Sequence, residues 1–117
     1  MNLRAVGAVG EEIAEKFLKK QGYKIIEKNY HASRFSEIDI IARHKGMLVF
    51  IEVKMRTSLK NGYGREAVTK SKQDNIRYGA QHYMYFKLKK EENCRFDVLE
   101  ITMLENEPEI KLIENAF

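Results

Sequence analysis

A chain of 117 residues, 44% hydrophobic and 32% charged, can bury one core but not two, and its balance is that of a folded domain, not a disordered one. The single cysteine, Cys94, excludes an internal disulfide and a cysteine metal cluster. No apolar run approaches the roughly 20 residues of a membrane span, and the N-terminus has no continuous apolar leader. One domain over residues 1–117, in the cytoplasm and away from membranes, is the expectation. The net charge of +4 hides an asymmetry: residues 43–90 carry twelve Lys/Arg against three Asp/Glu, whereas residues 91–117 carry two against eight. A basic middle third suits a polyanionic partner, although such runs also simply solvate a face.

Residues 4–21 are predicted to form the first helix. Val6, Val9, Ile13 and Phe17 recur at helical spacing, Ala14 and Leu18 widen the stripe, and Gly22 is the stop signal. At 100° per residue Glu11 falls at the stripe's edge beside Leu18, while Glu12 falls toward solvent. Glu11 is therefore the acid able to reach a buried site; its plainer role is an early-turn partner of the helix dipole.

Strands follow at 23–30, 37–42 and 47–55. The second and third read as a hairpin turning at His44-Lys-Gly-Met47, so that paired residue numbers sum to 91. Strict alternation places Ile38 and Ile40 on one face and Glu37 and Asp39 on the other. Asp39 then faces Glu52, and Glu37 faces Lys54, with paired Cβ atoms about 4.5–5.5 Å apart. Two carboxylates about 5 Å apart repel by roughly 3 kcal/mol at an effective dielectric near 20. A divalent cation relieves that cost, since hard cations take carboxylate oxygens, and Lys54 adds a mobile positive charge. The competing reading is a solvated face of cross-strand ion pairs. The flanking apolar runs, Ile40-Ile41 and Leu48-Val-Phe-Ile51, speak for a hairpin covered on both sides.

Residues 56–64 form a loop containing Asn61-Gly-Tyr-Gly64, and residues 65–86 a second helix with Val68, Ile76, Ala80 and Tyr83 inward. Lys72 lies within that stripe and Lys70 points away. A lysine on an apolar face either turns to the acids or snorkels along the surface. Strands at 95–101 and 110–113 complete the chain. Asp97, between Phe96 and Val98, is expected to pair with a nearby cation. Tyr30, Phe35 and Tyr63 are aromatics that could stack on bases or simply pack. His31, His44 and His82 lack ligand spacing.

Asp39 followed by Glu52-Val-Lys54 resembles the PD-(D/E)xK nuclease motif. The wider pattern is similar to the YraN-like family of small bacterial proteins, and through it to archaeal Holliday junction resolvases. It is carried by Gly10-Glu11-Glu-Ile-Ala14, Gly22-Tyr23, Asn29, Glu37-Ile-Asp-Ile-Ile-Ala42, Val49-Phe-Ile-Glu-Val-Lys54 with Arg56, Gly64, Ala67-Val68, Lys72, Arg95-Phe-Asp-Val98 and Ile113-Glu-Asn-Ala-Phe117. Ser36 departs from the family's usual glycine, and the motif's proline is absent. The Gln81-x-x-x-Tyr85 pair also resembles a helical motif of related nucleases, though any helix offers such pairs.

The resemblance implies an α/β fold of restriction-endonuclease-like order αβββαβ, with a mixed central sheet between helices. It implies a Mg²⁺- or Mn²⁺-dependent endonuclease that hydrolyses DNA phosphodiesters and selects branched or single-stranded DNA, in repair or recombination. The alternative is a non-catalytic nucleic-acid-binding module on the same fold. In the enzyme reading Asp39, Glu52 and the Val53 carbonyl hold the metal, Glu11 completes the shell, Glu37 tunes it, and Lys54 acts on developing charge. Arg56, Arg65, Lys70 and Lys72 hold phosphates, with Lys72 nearest the chemistry. The expected partners are nucleic acid, DNA rather than RNA, and a second copy of the chain.

Overall fold

The computed structural model describes residues 3–56 and 68–117, with α1 side chains described from Val9 onward. The elements are α1 (Leu3–Lys20), β1 (Lys24–Ser33), β2 (Ser36–His44), β3 (Met47–Arg56), α2 (Lys70–Tyr83), a π-helical turn (Met84–Leu88), β4 (Cys94–Met103) and β5 (Pro108–Ile113). The expected αβββαβ order is present, followed by the short last strand expected at 110–113, here β5.

The five strands lie in sequence order in one sheet. β1, β2 and β3 form an antiparallel meander, β4 runs parallel to β3, and β5 returns antiparallel to β4. A parallel neighbour requires a crossover, and α2 lies in that connection. Each sheet face buries its own apolar cluster. Ala14 and Leu18 of α1 pack on Ile40, Val49, Ile51, Leu99 and Ile101. Ile76, Ala80 and Tyr83 of α2 pack on Ile38, Ile41, Phe50 and Val98. Helices therefore cover both sides, and the fold is α/β and restriction-endonuclease-like.

Local chemistry sets the boundaries. Gly22 adopts φ +89°, and the Gly22 and Tyr23 amides donate to the carbonyls of Lys19 (3.1 Å) and Leu18 (2.9 Å), a Schellman closure of α1. The β2–β3 turn has Lys45 and Gly46 at φ 52° and 82°, the left-handed pair of a type I′ hairpin. Its register, Arg43↔Leu48 through Ile40↔Ile51, has the sum of 91 expected from the sequence.

Two expectations are corrected here. The second helix begins at Lys70, not 65, because Thr69 caps it: its side chain accepts the Lys72 amide. Val68 precedes the helix and is buried; residues 65–67 lie outside the described residues. The second correction is the alternation along β2. Ile38 packs toward α2 and Ile40 toward α1, so the two isoleucines do not share a face. The ladder breaks between them. β2–β3 pairing stops at Ile40↔Ile51, β1–β2 pairing skips Asp39, and Asn29, across from Asp39, sits at φ 53°. The sheet splits at Asp39.

Candidate functional site

The split is what exposes an acid to an acid. Beyond Ile40 the two central strands no longer exchange backbone hydrogen bonds, and the Val53 amide is left without a strand partner. Asp39 Oδ2 accepts that amide at 2.8 Å, satisfying a donor that burial would otherwise penalise. The other side of the Asp39 carboxyl meets Glu52, which hydrogen-bonds it. Glu52 follows Phe50 onto the α2 face, where Lys72 Nζ lies 3.2 Å from Glu52 Oε2; the Glu52 side chain is only 7% exposed. Thr69, as the cap of α2, fixes the backbone from which Lys72 reaches inward. Asp39, Glu52, Val53, Lys54, Met55, Thr69 and Lys72 together line one open cleft of about 440 Å³.

The electrostatics follow from crowding. Burial, then the hydrogen bond and charge of Glu52, push the Asp39 carboxyl up to about 8; the Val53 amide and Lys72 oppose the shift without cancelling it. Near neutral pH the pair therefore holds a proton between two carboxyls. Lys72, opposite Glu52, supplies the one ammonium in direct contact with the acids among the described residues.

The structure brings together Asp39, Glu52, Val53, Lys54 and Lys72, while Glu11, Glu37, Arg56 and Lys70 do not line the cleft. Glu11 is exposed on α1, across the sheet from α2, where its charge acts on Lys28 of β1. Among the described residues no group of three acids, histidines or cysteines is poised around one point. Glu11 itself does not line the cleft, although Gly10 beside it packs on Met55, which does. Glu37 does not face Lys54, because the ladder has already ended; it lies 3.6 Å from His31 Nε2 on the β1 side. Lys70 points to solvent and pairs with Asp74 at 2.7 Å. Arg56 ends β3, its Nε buried and without a hydrogen-bond partner among the described residues. Arg65 and Tyr63 lie outside the described residues.

Tyr30 is buried against Tyr83, edge to face at 5.3 Å, and is not available to stack on a base. Gln81 and Tyr85 line a different groove from the acids. Thr69 was not singled out in the sequence. Its signal was legible as a threonine three residues before the inward lysine, at the N-cap of a helix. Asp97 has the expected cation: it is fully buried and accepts from Arg95 Nε at 3.0 Å.

Fold and cleft define a class: an α/β protein with a restriction-endonuclease-like core, carrying two facing acids and two lysines where its central hairpin parts. Residues 10–101 match the profile of the Uncharacterised protein family UPF0102, and the chain belongs to that family. It is 46% identical over 121 residues to a UPF0102 protein of Acetivibrio thermocellus, covering 99% of this chain and 93% of the relative. A UPF0102 protein of Caldicellulosiruptor saccharolyticus is also 46% identical, over the full length of both. One from Lachnoclostridium phytofermentans is 44% identical, covering all of this chain and 96% of the relative. Among the described residues no helix is long and apolar enough to cross a membrane.

Proposed function

We propose that this protein is a Mg²⁺- or Mn²⁺-dependent nuclease of the PD-(D/E)xK kind that hydrolyses DNA phosphodiesters, with a preference for branched or single-stranded substrates. The observation that carries the reading is the Asp39–Glu52 pair. Two carboxyls are held against each other at a break in the sheet, at a cost large enough to leave one protonated near neutral pH. Selection for folding alone has no use for that arrangement.

The donors suit the group. Asp39 and Glu52 offer hard carboxylate oxygens, the Val53 carbonyl is the third candidate, and the cleft is open enough to admit a phosphate. A bound Mg²⁺ or Mn²⁺ would supply Lewis acidity toward a phosphoryl oxygen and a more acidic water. The chain's own residues do the rest. Asp39 is oriented by the Val53 amide. Lys54 and Lys72 present two ammonium groups to the cleft, able to meet charge developing on a phosphate, with Lys72 held at Glu52 until an anion arrives. The N-terminus of α2, opening at Thr69, adds positive potential to the same space.

One observation favours the second reading, a binding module without turnover. Lys72 already neutralises Glu52, so the acids are partly satisfied without a metal. A panel of labelled DNA forms (four-way junction, displaced-strand loop, single strand, matched duplex), incubated with Mn²⁺ and with EDTA at one salt, separates the two. Metal-dependent cutting that disappears in Asp39→Ala, Glu52→Ala and Lys54→Ala supports the nuclease. Equal binding in both conditions without cutting supports the module. Cutting of plain duplex at one short sequence would overturn the structural selectivity.

A further inference from the structure

At the far end of α2 from the acid cleft, three aromatic side chains stand in solvent: Tyr78, Tyr85 and Phe86. Tyr85 is 74% exposed. They form a connected ladder. The Tyr78 and His82 rings lie 6.1 Å apart, His82 and Phe86 4.5 Å, and Phe86 and Tyr85 4.8 Å. The ladder is fixed from below, because buried Tyr30 hydrogen-bonds His82 Nδ1 through its hydroxyl. Its end is fixed by the π turn Met84–Leu88, closed by Lys89 at φ 59°. These rings lean on one another, and Tyr85 and Phe86 on the turn remain more than half exposed. Exposed aromatic rings gathered on one face, rather than scattered singly, point to a binding surface.

The surroundings decide the occupant. The rings, with Lys89, Lys90 and Glu91, line a groove of about 630 Å³. Residues 68–90 carry six Lys/Arg and one Asp, with Lys87 in the aromatic turn and Lys89 and Lys90 directly after it. Flat rings interleaved with lysines match the chemistry of an unpaired nucleic-acid strand, with bases for the rings and phosphates for the ammonium groups. A second copy of the chain fits less well. An isologous contact would set this lysine cluster against itself, with Glu91 the acid in the groove, and like charges facing each other oppose association.

We propose that this groove binds unpaired nucleotides, stacking bases on Tyr78, Tyr85 and Phe86 and holding phosphates with Lys89 and Lys90. α2 links it to the acids: Thr69 and Lys72 line the cleft at one end, and Tyr85 stands thirteen residues further on, about 20 Å at helical rise. The groove thus holds a single-stranded flank at a fixed distance from the acids. The proposal shares with the nuclease reading only the premise that the ligand is nucleic acid, and needs no metal.

The test is fluorescence anisotropy of labelled oligothymidylate and of a matched duplex, in EDTA at one salt, with self-association followed by ultracentrifugation. The double variant Y85A/F86A should lose about tenfold or more in affinity for the single strand. Its affinity for duplex should change by less than about twofold, with melting temperature unchanged, and Tyr85→Phe should bind like the parent. Unchanged single-strand affinity overturns the proposal. So does an equal loss on both DNA forms, which marks a diffuse electrostatic effect. Loss of self-association with DNA affinity intact also overturns it, in favour of a surface for a second copy. Aromatic-dependent binding by a protein that cuts nothing in Mn²⁺ would sink the nuclease reading and leave this one standing; cutting without such binding would do the reverse.

Discussion

Asp39 is the residue on which most of the chemistry turns, and its protonation has a sign that can be checked. The carboxyl titrates near 4 in an unfolded chain and is held up to about 8 in the folded one. Between those values the folded state binds more protons, so stability in the absence of metal falls as pH rises from about 4 to 8. Asp39→Asn should flatten that fall and raise the melting temperature at pH 8, measured in EDTA. A fall as steep in the variant as in the parent would assign it to other groups. Mn²⁺ should raise the parent's melting temperature, because a ligand bound only by the folded state stabilises it, and should leave Asp39→Asn unmoved. Lys72 bears on the same site from the other side. It occupies Glu52 Oε2, so Lys72→Ala should tighten Mn²⁺ binding in calorimetry while slowing any cleavage. Weaker Mn²⁺ binding in that variant would mean that Lys72 organises the acids and does not compete for them.

At the scale of elements, the cleft depends on how closely α2 lies on β2. Gly79 sits at the crossing. A Cβ there would come within 2.7 Å of Ser36 Oγ and 2.9 Å of Ile38 Cδ1. The Ser36 hydroxyl also donates to the Asn75 carbonyl one turn earlier on the same helix. Alanine is the better helix former by about 1 kcal/mol, yet overpacking of a filled contact costs about 1–3 kcal/mol. Gly79→Ala is therefore expected to be net destabilising in urea titration, and a gain in stability would show that the helix can lift away freely. Lifting would also carry Lys72 from Glu52. The N-cap is the other control. Thr69→Ala should cost about 1 kcal/mol and loosen the turn that bears Lys72.

Across the whole molecule, the last residues lock the sheet to both helical layers. Asp97 is fully buried on β4 and gathers Arg95, the Tyr23 hydroxyl at 3.0 Å and the Asn115 amide at 2.9 Å. His44 stacks flat on Tyr23 at 4.0 Å and meets the Arg95 guanidinium. Burial and the Asp97 charge push the Tyr23 phenol well above its ordinary range, so it stays a donor throughout the physiological span. The C-terminal Phe117 stacks on Phe96, and Arg77 of α2 lies over both rings. Removing one partner of a buried charged pair costs about 3–5 kcal/mol. Asp97→Ala should lose about that much in urea unfolding, far more than Lys70→Ala, which breaks an exposed pair worth under about 1 kcal/mol.

The sequence by itself determined the element order, the hairpin and its register, and the inward lysine. These rest on local rules: helical periodicity, the turn chemistry of Lys45-Gly46, and alternation near the turn. Alternation then misled beyond Ile40. Nothing local distinguishes a continuous strand from one that parts from its neighbour, so alternation puts Ile38 on the wrong face and sets Glu37 against Lys54. Only the tertiary structure decided where the sheet splits, because the split depends on α2 pulling Ile38 to its side and on Asp39 replacing a backbone acceptor. It also decided where Glu11 stands: exposed on α1 and outside the cleft lining. Helical angle shows which side of α1 a residue occupies, but not which face of the sheet α1 covers. The aromatic groove was likewise invisible, since the spacing of Tyr78, His82 and Phe86 does not distinguish a stripe that packs inward from one that a π turn and a buried tyrosine hold out to solvent.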